Sequence, residues 1–392
     1  MPLPGFAPSW QLKKITTKAG SRKVHEENFF KTLCYFSTWG LRGNFKNEMT
    51  NRILFLLLWL VTTSLYAQRT FTNPIKNSGP DPWVVQKDGW YYYMNTTGRN
   101  LTLWKTKNMA DLATAEHKVI YTPPPKEQYS RELWAPEIHF IRGKWYVYFA
   151  ADSGRNVNHR MWVVENDSPD PMQGTWVLKG KLTDPGDHWA IDLTVKEFKG
   201  KLYAAWSGWE GPINGRQDIY IAELENPWTM KGDRVRLSKP DLPWEMHGDV
   251  PQEWQKNGEV PKVFVNEGPE FLEHDGKLFL IYSANACWLD YCLGMLQYTG
   301  KGSLTDPKNW KKSQTPVFVQ APENNVWAPG HGGFFTSADG KQSWMIYHAN
   351  PSATDGCGNK RAPHMQPFTW NADGTPNFGK PLAKVPMAAP TE

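Results

Sequence analysis

The chain has 392 residues and carries 44 Lys and Arg against 39 Asp and Glu, a formal net charge of +5. The first 68 residues hold nine of the basic side chains and three of the acidic ones. The remainder therefore carries 35 against 36 and sits near −1, which removes the basic excess as a sign of nucleic-acid binding. Only Cys287, Cys292 and Cys357 follow residue 68, too few for a disulfide scaffold and without paired C-x2-C metal spacing.

In chain order, residues 1–48 come first and show neither strand nor helix period. They read as disordered upstream sequence joined to the chain by a wrong start codon, with Met49 the expected start. Residues 49–67, MTNRILFLLLWLVTTSLYA, read as a secretory signal peptide: a short polar start with Arg52, then an apolar run over 53–61, then small and polar residues. The run is too short for a spanning helix, and a membrane anchor is the rival reading. Cleavage is expected after Ala67, although Leu65 is larger than ideal three positions back. The expected product is secreted or periplasmic, with no membrane association after cleavage. Among the three later cysteines at most one bridge can form, Cys287 and Cys292 being the closest pair in sequence.

From residue 68 onward the helical period is nearly absent. Short runs of Trp, Tyr, Phe, Val and Ile recur between Gly, Asp, Asn and Pro, which is an all-β pattern. A Gly turn followed by an aromatic or apolar strand appears five times, around Trp90, Trp145, Leu202, Leu278 and Trp344, at intervals of 55, 57, 76 and 66 residues. Upstream of each lies a second apolar stretch: GPDPWVV, WAPEIHFI, WAIDLTV, NEGPEFL and GHGGFF. Third strands are expected at LTLWKTKNM, RMWVVENDS, DIYIAELEN, CLGMLQYTG and QPFTWNADGTPNFG. Five units of about four strands predict a five-bladed β-propeller over 68–392, in which radial repetition protects strand edges. A β-sandwich is the structural rival, but it does not explain five copies of one motif. The longest interval holds a Pro-, Gly- and Trp-bearing loop at 238–266, and such loops tend to carry function.

If the upstream stretches are the innermost strands, Asp81, Glu137, Asp192, Glu267 and His331 converge near one end of the axis. Clustered carboxylates repel and burial disfavours charge, so one of them is held protonated beside an ionised partner. Glycoside hydrolysis requires such a pair. Taken singly, each acid also has an ordinary structural reading: a turn at Asp81, a strand cap at Asp192, a loop carboxylate at Glu267. Eighteen of the 21 Trp follow residue 68. Indoles fill cores and also carry the apolar faces of sugar rings, and Trp134, Trp288 and Trp327 are the candidates for the second role.

With NPI…GPDPWV, WAPEIHF, WAIDLTV, NEGPEFL and PGHGGFF in this order, residues 71–388 resemble glycoside hydrolase family 43. The resemblance implies a five-bladed propeller and an inverting mechanism. It implies Asp81 as general base, Glu267 as general acid, and Asp192 as the group that orients the acid and tunes its pKa. Glu137 matches an acidic position without a catalytic assignment, and Glu270 is the rival acid within the same motif. His331 matches an axial histidine that ligates a calcium or orients its water shell, and Arg361 an arginine that reaches toward the sugar at the cleavage point. No cofactor is needed for the chemistry, and a calcium would be structural and water-mediated. The implied substrate is a plant cell-wall oligosaccharide or polysaccharide. The motif pairs and SANACWLDYCLGML look most like exo-acting α-L-arabinofuranosidases acting on arabinan. A β-xylosidase of the same fold and a non-catalytic sugar-binding propeller are the alternatives.

Overall fold

The computed structural model describes residues 69–256 and 259–392, so the leader at 49–67 and the segment 1–48 lie outside the described residues. Strand β1 (Thr70–Phe71) is followed by a first sheet of β2 (Trp83–Lys87), β3 (Trp90–Met94), β4 (Leu101–Thr106) and β5 (Glu116–Tyr121). The second sheet is β6 (Arg131–Ile141), β7 (Lys144–Asp152), β8 (Arg160–Asn166) and β9 (Val177–Leu182). The third is β10 (Ala190–Phe198), β11 (Lys201–Trp209), β12 (Arg216–Asn226) and β13 (Thr229–Ser238). The fourth is β14 (Phe264–His274), β15 (Lys277–Ala284), β16 (Cys292–Tyr298) and β17 (Trp310–Lys312). The fifth is β18 (Trp327–Thr336), β19 (Ser343–Asn350), β20 (Ala362–Trp370) and β21 (Pro376–Asn377), and β22 (Met387–Ala388) follows it. All pairing within these sheets is antiparallel, and a short parallel pairing of β12 with β14 joins the third and fourth.

Four of the five inner hairpins turn on two residues. Asp88-Gly89, Arg142-Gly143, Lys199-Gly200 and Asp275-Gly276 all have positive φ at both positions, from 46° to 90°. This is the primed turn whose twist matches that of the flanking strands, and it explains why X-Gly precedes each aromatic strand. The fifth hairpin closes from Thr336 to Ser343 over a wider loop.

The innermost strands form a ring: β2 packs on β6, β6 on β10, β10 on β14, β14 on β18, and β18 back on β2. The fold is thus the expected five-bladed β-propeller. Its core is five layers between blades. One layer sets Tyr91, Tyr93 and Trp104 of the first blade against Phe335, Trp344 and Ile346 of the fifth. Because each second strand is covered on both faces, β7, β11, β15 and β19 are buried almost throughout. Burying apolar area at about 25 cal/mol per Å² makes these aromatic strands the main source of cohesion. The ring is latched where Thr70 pairs with Ala388 and Phe71 with Met387, and where the Asn73 side chain exchanges two 2.9 Å hydrogen bonds with the Met365 backbone.

Candidate active site

The inner strands break their pairing register just where the motifs lie: between Trp134 and Glu137, Ile191 and Thr194, Glu267 and Glu270, and Gly330 and Gly333. At or beside these breaks the backbone enters the left-handed region, with φ of 41° at Ala135, 57° at Asp192, 53° at Gly268 and 49° at His331; Asp81, just ahead of β2, has 55°. A bulge adds one residue to a strand and re-aims side chains, which lets an acid face the axis where simple alternation would turn it away. Gly268 is required twice over, because a Cβ there would also come within 3.1 Å of the His331 ring.

Asp81 is buried, and both its carboxylate oxygens are held. Arg361 donates to Oδ1 at 2.9 Å and the Thr96 hydroxyl to Oδ2 at 2.6 Å. His331 and His348 each bring Nδ1 to 3.5 Å from Oδ1, and the Asp81 backbone N–H donates to His348 Nδ1 at 3.1 Å. Burial opposes ionisation, but the charge of Arg361 first, then the neighbouring His331 and His348 and the Thr96 hydrogen bond, hold the carboxyl well below the usual carboxylate range.

Glu267 is in the opposite condition. Burial, together with the negative charge of Asp81, lifts its pKa to about 7 against the lowering effect of a hydrogen bond from the Tyr291 hydroxyl to Oε1 at 2.8 Å. Asp192 is also raised, by burial and then by Glu267 and Asp81, while its Oδ2 accepts the Gly268 N–H at 3.1 Å. Two acids of raised pKa thus stand beside an ionised Asp81. His331 is buried and its pKa is lowered chiefly by that burial; its Nδ1 stands 3.9 Å from Asp192 Oδ2.

A layer of buried polar side chains stands behind these groups. Glu137 contacts His139 Nε2 at 2.8 Å, and the Thr194 hydroxyl donates to Glu270 at 3.3 Å. Glu270 is only 2 % exposed and its pKa is raised by burial and by Glu137. It does not line the cavity, whereas Glu267 does.

That cavity holds about 950 Å³ and is walled by Asp81, Asp192, Glu267, His331 and Arg361. Trp134 and Trp288 are on its lining; Trp327 is not. Trp327 sits at the start of β18 opposite Asn350, ahead of the break that turns His331 inward. Trp189 takes a place on the wall that the sequence reading did not assign, stacked on Trp209 with ring centroids 4.6 Å apart. Its signal was present, since it opens the same WAIDLTV motif as Asp192. Thr96, Tyr291 and His348 carried no signal of their own. Tyr291 packs where Gly330 leaves room for its ring and lies parallel to His348, centroids 5.7 Å apart.

Cys287 and Cys357 form a disulfide, with Cα atoms 5.3 Å apart, and Cys292 is a free, buried cysteine. The bridge is therefore not between Cys287 and Cys292, the closest pair in sequence. Cys292 instead opens β16 and packs in the layer between the third and fourth blades.

A propeller that gathers two buried acids and a half-buried one, of unlike proton affinity, around one open cavity is the framework of a glycoside hydrolase. The chain belongs to the glycosyl hydrolases family 43, whose family model matches residues 71–376. It is 37 % identical over 323 residues to an extracellular exo-α-(1→5)-L-arabinofuranosidase of Streptomyces avermitilis, covering 80 % of this chain and 64 % of that protein. A protein of the same name from Streptomyces chartreusis is 36 % identical over 71 % of this chain and 82 % of its own length. The crystal structure of an α-L-arabinofuranosidase from Lactobacillus brevis superposes with a TM-score of 0.73 at 36 % identity, covering 80 % of this chain and 98 % of that one. The chain thus spans a little under two thirds of the length of the Streptomyces avermitilis relative.

Proposed function

We propose that the protein is a secreted, inverting, exo-acting α-L-arabinofuranosidase that releases terminal arabinofuranose from arabinan or arabino-oligosaccharides. The observation that carries this reading is the opposed state of two carboxyls in one cavity, Asp81 ionised against Arg361 and Glu267 raised to about 7. In this reading Asp81 takes a proton from a water whose oxygen bonds to the anomeric carbon. Glu267 gives its proton to the departing glycosidic oxygen as that bond breaks. Asp192, bound to the Gly268 N–H next to Glu267, orients the acid and raises the cost of its ionisation. Arg361 keeps the base ionised, and the indoles of Trp134 and Trp288 offer apolar faces to the sugar.

The sugar, the exo action and the extracellular setting are taken from the Streptomyces relatives. Secretion by way of residues 49–67 and a catalytic unit over 68–392 belong to the same proposal. Among the described residues no helix is long and apolar enough to cross a membrane. A calcium beside His331 would have to be held mainly through water, because no three His, Cys, Asp or Glu side chains converge as a ligand set among the described residues. No step of the chemistry runs through it, and treatment with a chelator should leave turnover intact while lowering the melting temperature if the ion is structural.

The test is hydrolysis of a chromogenic α-L-arabinofuranoside beside the matching β-D-xyloside, followed by proton NMR of an α-linked arabino-oligosaccharide digest in its first minutes. Preference for the arabinoside and first appearance of the β anomer are expected. An α anomer appearing first would remove Asp81 as base to a water, and xyloside preference would move the substrate class.

A further inference from the structure

The disulfide lies on the wall of the cavity itself, since both Cys287 and Cys357 line it. It joins two loops of unequal anchorage. In the loop between β15 and β16, Asn285, Ala286 and Tyr291 are buried. That loop is tied down by hydrogen bonds from Asn285 N to Val265 O at 3.1 Å and from Ala286 N to His247 O at 3.1 Å. The loop between β19 and β20, residues 351–361, has no buried residue. Its own bonds are mostly local, as from Ser352 to Asp355 and from Arg361 to Gly358, and its one backbone tie to another blade among the described residues is at its end, from Gly79 N to Arg361 O at 3.1 Å. Yet this loop delivers Arg361, four residues beyond Cys357, to Asp81 at 2.9 Å.

We propose that the Cys287–Cys357 disulfide is a positioning element for the reaction, transferring the rigidity of the fourth-blade loop to Arg361 and so holding the guanidinium on Asp81. The inference rests on the assignment of Asp81 as the base. An arginine on an exposed loop meets its partner only part of the time, and a cross-link four residues away removes the conformations that carry it off. The groups that face Asp81 are Arg361 from this loop, Tyr93 from β3, the Thr96 hydroxyl, His331 from β18, His348 from β19, and the acids Glu267 and Asp192. Of these only Arg361 stands on a loop that the disulfide holds.

The double variant C287S/C357S should retain the fold and lose part of the Arg361–Asp81 contact. The acid limb of the kcat/KM profile should then move up by about one pH unit toward the ordinary carboxylate range. In an Arg361→Met background the same pair of serines should leave the limb where it is, because the contact they loosen is already gone. A carboxyl 13C NMR titration of Asp81 reads the same shift without substrate, so a failure of this inference is separate from a failure of the proposed activity. If the serine variant does not fold, the comparison is made on the folded protein before and after reduction with a phosphine. An acid limb and an Asp81 titration unchanged by loss of the bridge would overturn the proposal, as would an equal shift with and without Arg361.

Discussion

Glu267→Gln separates chemistry from stability at one position. A carboxyl titrating at about 7 is roughly nine-tenths protonated at pH 6, whereas one at its ordinary value of 4.5 would be only about 3 % protonated, so the buried setting of Glu267 multiplies the competent acid some 30-fold. Glutamine keeps the size of the side chain and can still accept the Tyr291 hydroxyl bond, but it has no proton to give. Turnover on natural oligosaccharides should fall by at least ~10²-fold, and by far less on aryl arabinofuranosides whose leaving group needs no proton. The same shift sets the direction of the stability effect. A carboxyl whose folded-state pKa is above its unfolded value binds more protons when folded, so it costs stability as pH rises from about 4.5 through 7. The distance from the ordinary carboxyl value corresponds to roughly 3 kcal/mol. The glutamine variant should therefore melt higher than the parent at pH 8 and close to it at pH 4. Thermal unfolding at the two pH values and turnover on the two substrate types check this. Equal rate losses on both substrates would remove Glu267 as the acid, and a pH-independent change in melting temperature would remove its raised pKa.

Three further outcomes are expected. Arg361→Met should raise the Asp81 pKa, moving the acid limb of kcat/KM upward by about 1–3 units; it should also forfeit stability that the depressed carboxyl supplies at neutral pH and loses as pH falls. Gly268→Ala should cost about 1–3 kcal/mol of stability, from a positive φ and a crowded His331 ring, and should reduce turnover by shifting Glu267; urea denaturation and activity measure the two parts. A chain begun at Gln68 should fold and hydrolyse arabinosides as well as the full chain, and insolubility of the shorter chain alone would contradict the leader assignment.

Much of the architecture was legible in the sequence because it is encoded locally. An X-Gly pair that must take positive φ at both positions specifies a hairpin wherever it stands, and aromatic runs after it specify a strand buried on both faces. Four such signals, with a fifth Gly turn at Gly340 ahead of the Trp344 strand, give five blades, and the polar residue in each companion stretch marks the axis. Tertiary structure alone decided which of those residues meets the cavity. Glu267 and Glu270 belong to one five-residue motif, but the register break between them leaves Glu267 on the wall and seats Glu270 against Thr194 and Glu137. Local alternation does not announce a bulge, so no sequence period separates the two. The same holds for contacts that join distant segments: Arg361 to Asp81 across 280 positions, Cys287 to Cys357 across 70, and Tyr291 to Glu267 across a blade. Trp189 lines the cavity and Trp327 does not, although each stands at the head of an inner strand. Closing the ring brings residues from several blades to one axis, and only that closure fixes which carboxyl meets a guanidinium and which is left to keep its proton.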